Sequence, residues 1–291
     1  MLMPSQPLTV FYSPTYVVEG KIETVSKAGL VAGMIEAGKA GEVWLEAPKL
    51  ATRKELELIH TPEHVRSTFE DKGAFLEVGP WSQPLLDSIL ASTGGMRDAV
   101  KVALKHGRSG SLSSGLHHAR RNAGNGFCQF NGLALAALEA LKKVKTVGIL
   151  DLDAHAGGGT FDILGDHPQV CLADVTVNSF DSWVPSDPQR HFYVEVDHPK
   201  GYLGHVEDAL HSLERVDFLI YNAGMDTYEK AGGMKGITKD IIRKREKLVV
   251  HWARARKIPH VFALAGGYKW DGLTLDQVAE LHLETVKAFA V

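Results

Sequence analysis

Strand-length apolar runs that alternate with helical patterns constrain this chain more than any other feature of its sequence. The runs fall at residues 9–12, 43–45, 146–152, 170–175, 192–196, 217–222 and 260–265, and some, such as VGIL and FLIY, are almost continuously apolar. Continuous apolar strands are buried on both faces, which calls for a parallel sheet with helices above and below it. Helical patterns fill the intervals, at residues 25–36, 62–70, 85–105, 130–143, 206–213, 239–257 and 275–290. Within 239–257, Ile241, Ile242, Leu248, Val249 and Trp252 recur at core-facing spacings with charges elsewhere. No linker, repeat or low-complexity tract interrupts the alternation. Residues 1–291 are therefore expected to form a single α/β domain with a central parallel sheet flanked by helices. Segment 107–115 is Gly/Ser-rich. The longest loop-like stretch, 179–190, carries Trp183, Pro185 and Pro188 and has the length of a functional loop.

Composition removes several classes of function. The chain has 32 basic and 35 acidic residues, a net charge of −3 with His neutral. Binding built on phosphate neutralisation needs a strongly basic face, so no direct nucleic-acid partner is expected. Cys128 and Cys171 are the only cysteines, too few for a disulfide framework or a four-Cys metal site. No run reaches the roughly 18–20 apolar residues of a membrane span. The opening residues MLMPSQPLTVFYSP lack the basic-then-apolar order of a signal peptide. A cytoplasmic protein with no membrane partner is the expectation, and nothing in the sequence speaks to oligomeric state.

Ligands of α/β sheets bind beyond the carboxyl ends of the strands, so the reactive side chains found there matter most. The run 146–152 leads into Asp151-Leu-Asp153-Ala-His155-Ala-Gly-Gly-Gly-Thr160. Alternation puts Asp151, Asp153 and His155 on one side, a ligand set suited to a divalent metal. A phosphate loop is the rival reading of GGGT. It fails because no Gly-Lys-Ser/Thr follows and Asp162 stands where the last Gly of GxGxxG belongs. The run 217–222 ends in Asn222-Ala-Gly-Met-Asp226, and Asp226 supplies a third ligand. Asp153, His155 and Asp226 together leave the open coordination position that catalysis requires. His117 and His118, after the Gly/Ser-rich segment, are candidate acid/base groups because imidazole titrates near neutrality. In Ala265-Gly266-Gly267-Tyr268 the glycines permit close backbone approach to a ligand, and the phenol of Tyr268 can donate to a developing oxyanion.

These segments, GLHHARRNAGNGFC, DLDAHAGGGT, NAGMD and AGGY in that order, resemble the zinc-dependent deacetylases, which include histone deacetylases, acetylpolyamine amidohydrolases and bacterial relatives. IHTPEHV at Ile59 to Val65 and ASTGGMRDAV at Ala91 to Val100 fit the family's weaker N-terminal patterns, so the resemblance runs from about Tyr12 to the C-terminus. It implies an arginase-like α/β fold holding one Zn2+ per chain through Asp153, His155 and Asp226. It further implies that His117 and His118 handle protons, that Tyr268 polarises the scissile carbonyl and that Asp151 orients His117. The Asp151 backbone would help hold a structural K+, while Gly126 and Phe127 would wall the acyl-lysine tunnel beside the Gly266 backbone. The implied activity is removal of an acetyl or other acyl group from an amine such as acyl-lysine, with acetylpolyamines or other small N-acyl amines as the alternative substrates.

The sequence also departs from the family. Where relatives carry Asp or Asn three residues after the zinc His, this chain has Gly158, which leaves the orientation of His118 to packing or water. The Arg of the inner product channel has no counterpart in the stretch Val17-Val18-Glu19-Gly20-Lys21, and after Asp226 the chain reads Thr-Tyr-Glu-Lys rather than continuing to a second Asp-Pro. A two-manganese ureohydrolase needs bridging carboxylates, and Gly157 and Tyr228 occupy those positions. A catalytically weak acyl-amine-binding module is the remaining alternative, motivated by Gly158. Trp183, Trp270 and Tyr228 are candidate rim residues.

Overall fold

A computed structural model describes residues 6–18 and 23–291. Its strands are β1 (Leu8–Phe11), β2 (Val43–Glu46), β3 (Phe75–Leu76), β4 (Gly79–Pro80), β5 (Arg108–Ser111), β6 (Val147–Asp151), β7 (Val170–Thr176), β8 (His191–Glu195), β9 (Phe218–Asn222) and β10 (His260–Ala263). The helices are α1 (Glu23–Glu36), α2 (Arg53–Leu56), α3 (Pro62–Glu70), α4 (Gln83–His106), α5 (Gly132–Leu141), α6 (Gly158–Leu164), α7 (Tyr202–Ser212), α8 (Lys239–Ala255) and α9 (Leu275–Ala290). Polar side chains mark where several helices begin: Ser82, Asn131, Thr238 and Thr274 each accept a hydrogen bond from a backbone N–H of the first turn of α4, α5, α8 and α9.

Among the described residues, eight strands form one sheet in the order β2-β1-β5-β10-β9-β6-β7-β8. Every neighbouring pair is parallel, as the continuous apolar runs require. Alternate strand residues serve two separate cores. Leu150, Leu219, Tyr221 and Phe262 pack on the face covered by α1, α7, α8 and α9. Ile149, Phe218, Ile220 and Val261 pack on the face covered by α3, α4, α5 and α6. Among the described residues, no helix is long and apolar enough to cross a membrane.

One expectation fails in an informative way. Segment 107–115, where the sequence predicts no strand, contains β5, which lies in the sheet between β1 and β10. Its sequence, Arg-Ser-Gly-Ser, has little intrinsic strand preference. Packing explains the choice of residues. A Cβ on Gly110 would lie 2.5 Å from Cδ1 of Phe262 on the neighbouring strand, so the phenyl ring occupies the space that β5 leaves empty. Helix α6, also absent from the expected elements, starts inside the Gly-Gly-Gly stretch that follows the DxDxH motif.

Candidate metal centre and active site

The carboxyl ends of four adjacent strands, β5, β10, β9 and β6, are level with one another, and β7 runs two residues further. Asp151 is in register with Asn222 on β9 and Asp174 on β7, and Asn222 is in register with Ala263 on β10. The loops leaving these strands therefore converge on one patch of the sheet edge. β5 leads to His117 and His118, β6 to Asp153 and His155, β9 to Asp226 and β10 to Gly266 and Tyr268.

Asp153, His155 and Asp226 each aim one ligand atom into a common space, with those atoms within 4.8 Å of one another. Backbone amides hold the carboxylates in place. Asp153 Oδ1 accepts from the His155 amide at 3.0 Å and Oδ2 from the Gly266 amide at 2.7 Å. Asp226 Oδ1 accepts from the Ala154 amide at 2.9 Å. Its Oδ2 is fully buried and makes no hydrogen bond of good geometry, but pairs with His155 Nδ1 at 3.3 Å. Burial and the adjacent Asp153 carboxylate push Asp226 up to about 6. Burial alone would lower His155, yet Asp153 and Asp226 outweigh it and hold the imidazole up at about 10. A cluster that forces positive charge onto its own imidazole fits a divalent cation, and two carboxylates with one imidazole are a donor set that zinc accepts.

The two histidines lie beside this cluster with their rings 3.8 Å apart. His117 Nδ1 meets Asp151 Oδ2 at 2.8 Å, and its Nε2 lies 3.8 Å from Asp153 Oδ1. Asp151 in turn accepts from Asn222 Nδ2 at 2.9 Å and from the Asp153 amide at 3.1 Å. Burial works against a charge on His117, but Asp151 and Asp153 prevail and raise it to about 9. His118 goes the other way. Burial, then the neighbouring His117, push it down to about 4. Two adjacent imidazoles thus favour opposite protonation states.

The expectation that Gly158 leaves His118 unsupported is overturned. His118 Nδ1 lies 2.8 Å from Oδ2 of Asp181, a residue of the loop that follows β7. That loop is tied to the motif strand. The Val177 amide donates to Ala154 O at 3.0 Å, and the Ala156 amide to Phe180 O at 3.1 Å. No sequence motif marks Asp181; the one available signal was the length of the segment 179–190.

The rim is built by two phenylalanines. Residues 125–128 form a tight turn in which the Asn125 and Cys128 backbones exchange hydrogen bonds of 3.0 and 2.8 Å. Both central residues have positive φ, 53° for Gly126 and 68° for Phe127, as a type I′ turn demands. Gly126 lies against the His118 ring, where a Cβ would come 2.6 Å from its Cδ2. The turn leaves Phe127 48% exposed. Phe180, which the motifs did not single out, is 45% exposed and packs edge-on against His118 and His155 at 5.0 and 5.8 Å. Tyr268 is half-buried, two residues beyond the Gly266 amide that holds Asp153. Trp183 is no rim residue: it is buried, stacks on Phe161 at 4.4 Å and donates its indole N–H to Asp174 at 2.8 Å. Trp270 is exposed and Tyr228 packs against the core.

Two buried cations brace the site, and neither belongs to a motif. Lys27 of α1 is fully buried and donates to the carbonyl of Ala265. Burial lowers it to about 7 against the pull of Asp226 and Asp153. Its signal in the sequence was a charge at the 27, 31, 35 spacing of an otherwise apolar stripe with Val31 and Ile35. Arg245 of α8 donates to Leu152 O at 3.1 Å and to Thr227 Oγ1 at 3.0 Å, and pairs with Glu246. It therefore links the residue before Asp153 to the residue after Asp226. Glu19, Gly20 and Lys21, where the N-terminal sequence departs from the deacetylase pattern, lie outside the described residues.

With this geometry in place, comparison with known proteins settles the ancestry. The family model for the histone deacetylase domain matches residues 20–286. This chain belongs to the histone deacetylase family. It is 32% identical over 283 residues to an uncharacterized protein of Picosynechococcus, covering 89% of this chain and 91% of that protein. It is 27% identical to histone deacetylase 2 of Arabidopsis thaliana, across 91% of this chain and 76% of the relative. Among solved structures, the HD domain of HDA15 superposes with a TM-score of 0.78 over 97% of this chain and 88% of that one, at 19% identity, so the fold persists where most side chains differ.

Proposed function

We propose that this chain is a zinc-dependent amidohydrolase that removes an acetyl or other acyl group from an amine, and that residues 1–291 act as one deacylase domain. The observation that carries this reading is the convergence of Asp153, His155 and Asp226 beside two carboxylate-paired histidines at one edge of the sheet. Bound among those three residues, a zinc ion supplies Lewis-acid polarisation of the amide carbonyl and lowers the pKa of an attacking water.

The remaining roles fall to side chains of the chain itself. A carboxylate only accepts hydrogen bonds, so each imidazole presents Nδ1–H to its aspartate and its Nε2 edge to the substrate. His118, favoured in the neutral form, takes the proton at Nε2. His117, favoured in the charged form, holds a proton for the leaving amine. The phenol of Tyr268 donates to the carbonyl oxygen as negative charge develops there. Phe127 and Phe180, with Gly126 between Phe127 and the His118 ring, offer apolar walls to an alkyl stem that carries a neutral amide.

Hydrolysis of a fluorogenic acetyl-lysine peptide, lost on treatment with a chelator and restored by zinc, tests the reading. A panel of acyl-peptides and acylpolyamines compared by kcat/KM then identifies the amine. An enzyme silent on every member with zinc supplied would refute the proposal and favour the acyl-amine-binding module.

A further inference from the structure

We infer that Asp181 is the positioning residue for His118, and that Gly158 is glycine because Asp181 occupies the space of its side chain. The inference rests on the deacylase reading for what His118 does, but the juxtaposition itself is independent of it. A Cβ built on Gly158 would lie 2.5 Å from Asp181 Oδ1, 2.7 Å from its Cγ and closer still to its carbonyl oxygen. No other residue fits at 158 while Asp181 holds its place. The carboxylate is therefore supplied from the loop after β7, not from the start of α6.

Asp181 is built for this position. Its side chain is 1% exposed, a setting that an aspartate tolerates only when its oxygens are paired. Oδ2 accepts both from His118 Nδ1 at 2.8 Å and from the Gly159 amide at 3.1 Å, while Oδ1 accepts from Arg120. Its φ of 58° lies in the left-handed region, which asparagine and aspartate enter more easily than most residues. The same loop places Phe180 against the His118 ring, so one segment supplies both a wall of the rim and the anchor of the imidazole.

A competing explanation is that Asp181 merely ties down its loop through Arg120. The two differ in what an amide can replace. The Gly159 amide forces an acceptor, not a donor, into the Oδ2 position. In Asp181→Asn the amide oxygen must therefore face His118, and its NH2 faces the half-exposed Arg120, so that only that pairing is lost. Asp181→Gly keeps the backbone conformation accessible and removes the acceptor altogether.

The test measures kcat and KM on an acetyl-lysine peptide, with zinc content determined for each variant. Asp181→Gly is expected to lower kcat by roughly 10²-fold, the low end of what a positioned acid or base contributes, with KM and zinc content unchanged. Asp181→Asn should stay within about ten-fold of the parent, and Arg120→Ala within about five-fold, the worth of a partly exposed ion pair. Gly158→Ala tests the same relation from the other side, because its methyl meets both the carbonyl oxygen and the carboxylate of Asp181 and must shift the whole residue: kcat should fall with zinc retained. Parent-like kcat in Gly158→Ala or in Asp181→Gly would overturn the inference, as would equal losses in Asp181→Asn, Asp181→Gly and Arg120→Ala. A readout without turnover separates this from failure of the deacylase reading. The downfield Nδ1–H resonance of a hydrogen-bonded imidazole, assigned by its loss in His118→Gln, should move upfield but remain in Asp181→Asn and vanish in Asp181→Gly even in a protein that hydrolyses nothing. Its survival in Asp181→Gly would refute the pairing.

Discussion

His117 and His118 are adjacent in the chain and their rings lie 3.8 Å apart, yet each gives its Nδ1 to a different buried carboxylate, Asp151 at 2.8 Å and Asp181 at 2.8 Å. Asp151 ends β6 and Asp181 follows β7, so two neighbouring strands each anchor one imidazole. The two environments push the rings toward opposite charge states, which is how a pair of like residues divides acid and base work.

The metal cluster sets the first expectation. Purified protein should hold about one zinc per chain, because three ligand atoms converge and the described residues form a single such group. Asp226→Ala removes one of the three ligand carboxylate and imidazole groups, the one whose Oδ2 faces His155 Nδ1 at 3.3 Å, and should release the metal and abolish hydrolysis. Elemental analysis decides the point; full zinc occupancy in this variant would remove Asp226 from the ligand set.

Tyr268→Phe deletes a single hydroxyl. If that phenol donates to the oxyanion, kcat should fall by roughly 10²–10³ while zinc content stays at the parental level. A change confined to KM would make Tyr268 a substrate-binding residue instead.

Arg245 supports the site from behind. It is fully buried and pairs with the buried Glu246, which also accepts from the Tyr221 hydroxyl at 2.8 Å. Arg245→Ala strands that carboxylate and frees the segments that carry Asp153 and Asp226. The expected loss of stability is about 3–5 kcal/mol, measured by denaturant unfolding, together with weaker zinc retention. A midpoint equal to the parent's would show that Glu246 finds another partner.

Acid should weaken the fold through histidines remote from the chemistry. Burial, then the neighbouring His64, hold His60 down at about 3, and burial holds His260 down at about 4. Each titrates near 6.5 once unfolded. Below that pH the unfolded chain binds protons that the folded protein refuses, so this stability is present above about 6.5 and lost as pH falls. Each histidine costs about 1.4 kcal/mol per pH unit, or about 4 kcal/mol for the pair between pH 7 and 5. That corresponds to a drop in melting temperature of about 6–7 °C for a chain of this length. A melt recorded at both pH values checks it; an unchanged melting temperature would contradict these assignments.

What the sequence determined by itself was the pattern that repeats along the chain. Continuous apolar runs such as VGIL and FLIY can be satisfied only by burial on both faces, and the parallel sheet followed from them. The DxDxH and NAGMD segments declared their chemistry because each lies within a few residues of a strand end, so a local rule places Asp153, His155 and Asp226 at one edge. Tertiary structure alone decided everything that depends on residues distant in sequence. β5 could not be found from Arg-Ser-Gly-Ser, because a strand with no large apolar side chain is favoured only when a neighbour such as Phe262 fills the gap at Gly110. Lys27 and Arg245 become supports of the site only once α1 and α8 pack behind it. Gly158 read as the loss of a partner for His118, whereas the fold brings Asp181 across 63 residues to provide one. A hydrogen bond depends on distance in space, and the chain separation that hides it from the sequence does not weaken it.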